Sequence, residues 1–194
     1  MSVAEKPLIP IAGETRNGRR PVAQSGANPV MIDRGSPIPS VPVKLVTAEG
    51  TTDTTSDVAL GTGTVVFFAV PGAFTPTCHV NHLPGFVANL TKLRAAGVDR
   101  VVCASVNDAH VMKAWAEASN ALGEIDFIAD GNGALAEAMG LAKDYSGAGM
   151  GKRFARSAMI IRDGIADAVF VEDAPGVNAS GAPAILMALE AARS

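Results

Sequence analysis

TVVFFAV-PGAFTPTC-HVNHLPGFVANLTKL, residues Thr64 to Leu93, passes from one structural period to another around a single cysteine. Thr64 to Val70 is short, β-branched and aromatic, which suits a buried strand. Beyond Cys78, the residues Leu83, Phe86, Val87, Leu90 and Leu93 recur at helical spacing until Gly97 stops the run. Cys78 therefore falls in the first turn of a helix that follows a strand directly. Pro84-Gly85 sits inside that helix. A proline there removes one backbone hydrogen bond and is expected to kink the helix rather than end it, because the apolar stripe runs through it. The other reading starts the helix after Pro84 and leaves Cys78 on a short turn of its own. Either way the segment around Cys78 is weakly tethered.

The unpaired N–H groups of a helix start, and the positive end of its dipole, favour an anion. Such positions lower a cysteine pKa from about 8.5 into the range of roughly 3.5 to 7.5. At a pKa of about 6, the thiolate fraction at pH 7 rises from a few per cent to about 90%. Cys78 is thus a candidate nucleophile.

PGAFTPTC (Pro71 to Cys78) followed by HLPGF (His82 to Phe86) resembles the active-site signature of the peroxiredoxins, specifically the type II or peroxiredoxin 5 subfamily. The family pattern Pro-x-x-x-Thr-x-x-Cys is met by Pro71, Thr75 and Cys78 in register. The resemblance continues through VCASVND (Val102 to Asp108), VMKAW (Val111 to Trp115) and RSAMIIRDG (Arg156 to Gly164), and covers the chain from about Met31 onward. It implies a thiol peroxidase: Cys78 as the peroxidatic cysteine, reducing hydrogen peroxide and alkyl hydroperoxides, then reset by glutathione/glutaredoxin or thioredoxin. It implies no cofactor, and a homodimer packed near the active-site face. In this reading the Thr75 hydroxyl accepts a hydrogen bond from the peroxide or donates one to the thiolate, where a turn or capping threonine is the plain alternative. Pro71 shields the thiolate from bulk solvent or simply stiffens the loop.

A thiolate attacking a peroxide needs a fixed cation, because negative charge spreads from sulfur to both oxygens. Arg153, Arg156 and Arg162 are the candidates. Aligned on the methionine and the Asp-Gly turn, Arg156 takes the place of the family's active-site arginine. A strand beginning at Arg156 puts 156, 158 and 160 on one face, with Arg153 before the strand and Arg162 beside the turn. Backbone N–H groups at Thr77 and Cys78 would complete a peroxide site at the helix start. Cys103 lies mid-strand among valines. It reads as a buried structural cysteine, or as a resolving cysteine, since its spacing from Cys78 matches plant-type members of the family. A disulfide needs Cα atoms within about 7 Å, so a Cys78–Cys103 bond requires local unwinding.

The remaining elements fit one architecture. A strand over Val101–Val106, a helix capped by Asn107 or Asp108 that turns Val111, Met112 and Trp115 inward and ends near Gly123, a strand at Ile125–Ala129 and a helix at Ala134–Met139 come in turn. Strands at Ala158–Ile161 and Ile165–Val171 join through Asp163-Gly164, and a helix over Pro183–Ala192 closes the chain. This order predicts an α/β protein with a central mixed β-sheet flanked by helices, which is also the thioredoxin-like fold the resemblance implies.

Rival chemistries have weaker support. His79, His82 and Cys78 form a rival constellation, in which Cys78 and His82, four apart, could share a metal face. Only one further histidine, His110, exists and no second cluster closes a tetrahedral site, so His82 reads as a satisfied packing residue. Cys-x-x-Cys is missing, which argues against a dithiol isomerase. A thioredoxin-fold redox-sensing or chaperone module, without high peroxidase turnover, is the alternative of a different class. A net charge of -3 and a pI near 5.6 give no basic footprint for nucleic acid. No apolar run approaches about 18 residues, so no membrane span is expected. Two cysteines make no disulfide scaffold, and a reducing, cytoplasmic compartment fits. Residues 1–30 carry Pro and Gly punctuation, Arg16, Arg19 and Arg20, and no sustained period. They read as a flexible N-terminal extension to a single domain over 31–194. Their arginines allow an organellar targeting reading, against which Glu5 and Glu14 and the missing amphipathic pattern count.

Overall fold

Val65 to Val70 are all buried, as expected of a strand covered on both faces, where a continuous apolar run replaces alternation. The structure, a computed structural model, describes residues 30–193. Apart from Val30, the expected N-terminal extension lies outside the described residues. The strands are β1 (Pro42–Thr47), β2 (Gly50–Thr55), β3 (Thr64–Val70), β4 (Arg100–Ser105), β5 (Asp126–Ala129), β6 (Ala142–Asp144), β7 (Lys152–Phe154), β8 (Ser157–Arg162) and β9 (Ile165–Val171). The helices are α1 (Ser56–Leu60), α2 (Leu83–Ala95), α3 (Ala109–Ala118), α4 (Ala134–Ala138) and α5 (Ala182–Ala191).

Seven strands form the main sheet in the order β2-β1-β5-β4-β3-β8-β9. β3 pairs parallel with β4 and antiparallel with β8, and β5 pairs parallel with β4 and antiparallel with β1. The sheet is therefore mixed, with helices on both sides. Side-chain alternation sorts β3 and β4 into two cores. Val66, Phe68, Val70, Val101 and Cys103 face α2, α3 and α5, packing with Phe86, Leu90, Met112, Trp115 and Ile185. Val65, Phe67, Ala69, Val102 and Ala104 face α1 and α4, packing with Leu60, Leu135 and Phe154.

Local chemistry sets the ends of these elements. Asp163 and Gly164 both have positive φ, 47° and 78°, the primed turn that matches strand twist. Gly97, at φ 84°, closes α2, with its N–H bonded to Arg94 O and that of Val98 to Leu93 O, a Schellman motif. Asp108 caps α3 by accepting from the N–H groups of His110 and Val111. That helix stops at Ala118, well short of Gly123. Asn120 takes the left-handed conformation at φ 51°, with Ala121 N bonded to Ala116 O and Asn120 N to Glu117 O, so asparagine supplies the stop expected of glycine. Val111 is only half-buried, and Ala116 joins Met112 and Trp115 in the core instead. The strand expected at Val101–Val106 runs one residue earlier at both ends.

Two hairpins fall outside the expected order. β1 and β2 pair antiparallel from Pro42↔Thr55 to Thr47↔Gly50, and β6 pairs with β7. Arg153 consequently lies within β7 rather than before a strand, and β8 starts at Ser157, one residue after Arg156.

Candidate active site

β3 delivers the chain to Pro71, which is buried, and to a tight loop. At Gly72 a Cβ would lie 3.1 Å from both Met150 Cε and Thr75 Cγ2, so the loop closes where only glycine fits well. Asn107, at the end of β4, holds the loop by accepting from Ala73 N at 3.0 Å and Ser105 Oγ at 2.8 Å. Phe74 is left-handed at φ 60° and half-exposed, a costly conformation for an aromatic residue. Thr75 then starts the helix. Pro76 occupies the first helical position, where a missing N–H costs nothing, and His79 N makes the first intrahelical bond, to Thr75 O at 2.9 Å. The N–H groups of Thr77 and Cys78 precede that bond, among the unpaired donors of a helix start.

The Thr75 hydroxyl donates to Gly72 O at 2.8 Å. Its proton is committed to the loop, so its lone pairs remain as acceptors. Of the two expected directions, donation to Cys78 is the one this geometry does not show.

Cys78 opens a π-helical turn, Cys78–His82, which runs without a break into α2. Leu83 N bonds to Cys78 O, an i to i−5 bond. Pro84 explains the widening: it has no N–H for the carbonyl four residues back, and its ring would collide with that carbonyl in a regular helix. The helix is therefore continuous, as the apolar stripe implied, and the proline produces a π bulge.

Arg156 meets this turn from the start of β8. Its Nη2 lies 3.4 Å from Cys78 Sγ, and its Nη1 lies 3.1 Å from His82 Nδ1. Arg153 is placed differently. Its Nε donates to Met150 O at 2.8 Å and its Nη1 to Val106 O at 2.9 Å, bracing two backbone carbonyls beside the Gly72 loop. Arg162, on the β8–β9 hairpin, pairs with Asp167 at 2.9 Å. Of the three candidate arginines, Arg156 is the one that touches the sulfur.

Sequence reasoning missed the use of His82. It is 1% exposed and packs on Phe68 and Phe86, with ring centroids at 5.1 and 5.6 Å. Its Nε2 lies 2.9 Å from Ser180 O. Burial pushes its pKa down to about 4; the Ser180 carbonyl opposes this, and the Arg156 charge adds to it. With both ring nitrogens taken by protein groups, neither faces a metal. The Cys+4 spacing that suggested a shared metal face was the available signal for a shared arginine.

Behind His82, Glu172 organises the loop that reaches Ser180. One carboxylate oxygen accepts from Asn178 N, Ser180 N and Ser180 Oγ at 2.7–2.8 Å. Burial works to raise the Glu172 pKa, but these hydrogen bonds outweigh it and hold the carboxyl below its ordinary value. Glu172 N also donates to Arg156 O at 2.9 Å, so the same residue fixes the arginine's backbone.

A cleft of about 260 Å³ leads to the arginine, walled by Pro71, Thr77 and Arg156, by Lys143 and Tyr145, and by the loop from Glu172 to Gly176. Burial raises the Tyr145 pKa; Arg156 opposes that, and Cys78 adds to it. Cys78 itself is fully buried, so Arg156 links the cleft to the sulfur. Cys103 is also fully buried, paired with Phe68 across β3 and β4. Burial pushes its thiol well above the usual cysteine range, and the neighbouring Cys78 adds to the shift. Both cysteines are free thiols.

Residues 33–186 match the Redoxin family. Peroxiredoxin-2B of Arabidopsis thaliana is 41% identical over 125 residues, which is 64% of this chain and 77% of that protein. Peroxiredoxin-2E-2, chloroplastic, of Oryza sativa subsp. japonica is 45% identical over 128 residues; the match takes in 64% of this chain but only 56% of that longer relative. Reduced Prx3 from Vibrio vulnificus, solved in complex with H2O2, superimposes with a TM-score of 0.77 at 43% identity, over 82% of this chain and 99% of that one. The match runs from before β1 into α5 and takes in the whole Cys78–Arg156 site, and on that ground the chain belongs to the Redoxin family, as a type II peroxiredoxin.

Proposed function

We propose that this chain is a thiol-dependent peroxidase in which Cys78 is the peroxidatic cysteine. The observation that carries the reading is Arg156 Nη2 at 3.4 Å from Cys78 Sγ. A guanidinium there is a fixed cation that stays in place as negative charge moves from sulfur onto oxygen. The sulfur of Cys78 attacks the distal oxygen of the peroxide, an S–O bond forms, and the O–O bond breaks. Water or an alcohol leaves after taking a proton, and Cys78 becomes a sulfenic acid. In this reading the N–H groups of Thr77 and Cys78 and the lone pairs of Thr75 Oγ1 hold the two peroxide oxygens, and Pro71 keeps the floor of the cleft dry.

The substrates are hydrogen peroxide and small alkyl hydroperoxides, in keeping with the H2O2 complex of the Vibrio vulnificus relative. Recycling uses an external thiol. Attack on the sulfenic acid gives a mixed disulfide and water, and a second thiol from glutathione, glutaredoxin or thioredoxin releases Cys78. Cys103 is ill-suited to resolve the sulfenic acid, since burial opposes its ionisation and β4 holds it in the sheet. The π turn is the part that opens, because Pro84 leaves it one hydrogen bond short. We place the protein in a reducing compartment, and as a homodimer in solution. Phe74 and Val80, both exposed beside Cys78, supply apolar surface for the dimer contact.

Peroxide consumption with glutathione and glutaredoxin, or with thioredoxin, tests the reading. Sustained turnover that Cys78→Ser abolishes supports it. Stoichiometric oxidation without turnover under every thiol system would favour the redox-sensing alternative.

A further inference from the structure

His82 makes two polar contacts of opposite demand. Ser180 O can only accept, so the facing Nε2 carries the ring proton; Arg156 Nη1 can only donate, so Nδ1 presents its lone pair. One neutral tautomer satisfies both partners. The ring cannot slide, because Phe68 and Phe86, themselves stacked at 4.1 Å, pack against it. The Ser180 carbonyl cannot drift either, since Glu172 binds both the N–H and the hydroxyl of Ser180.

The guanidinium has its own need for this arrangement. Arg156 is always charged, and its planar fork can turn about the side chain unless a second contact fixes it. Nη2 is directed at Cys78 Sγ and Nη1 at His82 Nδ1. Glu172, whose charge acts on His82, directs its carboxylate to Asn178 and Ser180. Orientation of the fork therefore rests on a neutral nitrogen that accepts a hydrogen bond and adds no charge. A carboxylate in that place would compete with the thiolate for the same cation.

We infer that His82 is the positioning residue that sets the orientation of the Arg156 guanidinium toward Cys78, held in one tautomer by Ser180 and Glu172. The inference rests on the proposed role of Arg156. It acts only through that residue, and His82 touches neither sulfur nor peroxide.

Two amide variants separate positioning from space-filling. His82→Asn keeps an acceptor close to the Nδ1 position, whereas His82→Gln keeps a donor toward Ser180 O and places no acceptor near Arg156. The expected second-order rate constants with hydrogen peroxide are within about threefold of wild type for His82→Asn and at least tenfold lower for His82→Gln, the scale of one lost oriented donor. A purely structural role predicts the reverse order, because glutamine fills the site better. The second readout is the double variant His82→Gln/Arg156→Ala, which is expected to react no more slowly than Arg156→Ala alone. Equal rates for both amides, or losses that multiply in the double variant, would overturn the inference. If Arg156→Ala itself reacts at the wild-type rate, the proposed function fails first; if it is slow while His82→Gln is fast, only this inference fails.

Discussion

Trp115 Nε1 donates a hydrogen bond to His79 Nδ1 at 3.0 Å, tying α3 to the residue after Cys78. Trp115 is fully buried and is the chain's one tryptophan. Its neighbours include Phe127, edge-on at 6.0 Å, and His79 in turn lies against Phe74 at 5.7 Å. Opening of the π turn parts this bond and changes the polarity around the indole. Stoichiometric peroxide is therefore expected to change the intrinsic emission with the kinetics of Cys78 oxidation, and Cys78→Ser to show no change in stopped-flow fluorescence. Emission that stays constant while the wild-type cysteine oxidises would mean that the turn does not move.

The two arginines near the loop are expected to differ in kind. Arg156→Ala removes the cation beside the sulfur and lowers the second-order rate constant with peroxide at least tenfold, about 1.4 kcal/mol or more. Arg153→Ala leaves the Met150 and Val106 carbonyls without their donor, a stability cost on the order of 1–3 kcal/mol, and slows the peroxide step less than Arg156→Ala. Rate constants and thermal midpoints measured on both variants check this. Equal rate losses would make them a joint site.

Cys103, on β4 between Phe68 of β3 and Phe127 of β5, faces the apolar core under α2, α3 and α5, so Cys103→Ala is preferable to serine, which would bury a hydroxyl. The variant is expected to keep at least half of the turnover supported by glutathione and glutaredoxin, while losing on the order of 1 kcal/mol of stability from the missing sulfur contacts. Loss of turnover, together with a Cys78–Cys103 bridge in non-reducing peptide maps of oxidised wild type, would install the intramolecular route instead.

His82 also predicts how stability depends on pH. Its folded pKa, about 4, lies below its ordinary 6.5. Between these values the unfolded chain takes up a proton that the folded chain refuses, so stability falls as pH drops from about 6.5 to about 4 and levels off below that. The full difference is on the order of 3 kcal/mol. His82→Gln cannot titrate, so its thermal midpoint falls less over the same window. Denaturation of both proteins across this range isolates the contribution, since the carboxylates are common to the two. Parallel curves would show that His82 is not held neutral by the fold.

Much of this architecture was legible in order of apolar signal. β3 and the α2 stripe are long, buried and periodic, and the Asp163-Gly164 turn announces β8 and β9. β1 and β2 were not, because GTTDTT (Gly50 to Thr55) is a largely exposed strand with little apolar content, visible only through its pairing. β6 and β7 are three residues each, too short to show a period. The proline in the helix was legible as a disturbance, but its form, a π turn, depends on backbone geometry. At the site, Cys78 and the Arg156 alignment came from local sequence. His82 did not, since its partners Arg156 and Ser180 lie far along the chain and only the fold brings them together.

The most direct test of the account is a single turnover on the wild type. One equivalent of hydrogen peroxide is mixed with reduced protein, quenched at intervals with a sulfenic-acid trap, and both cysteine peptides are followed by mass spectrometry. The account predicts that Cys78 gains the trap first and alone, that the rate drops at least tenfold in Arg156→Ala, and that glutathione converts the product to a mixed disulfide at Cys78. Oxidation that begins at Cys103, or that proceeds at an unchanged rate without Arg156, would contradict it.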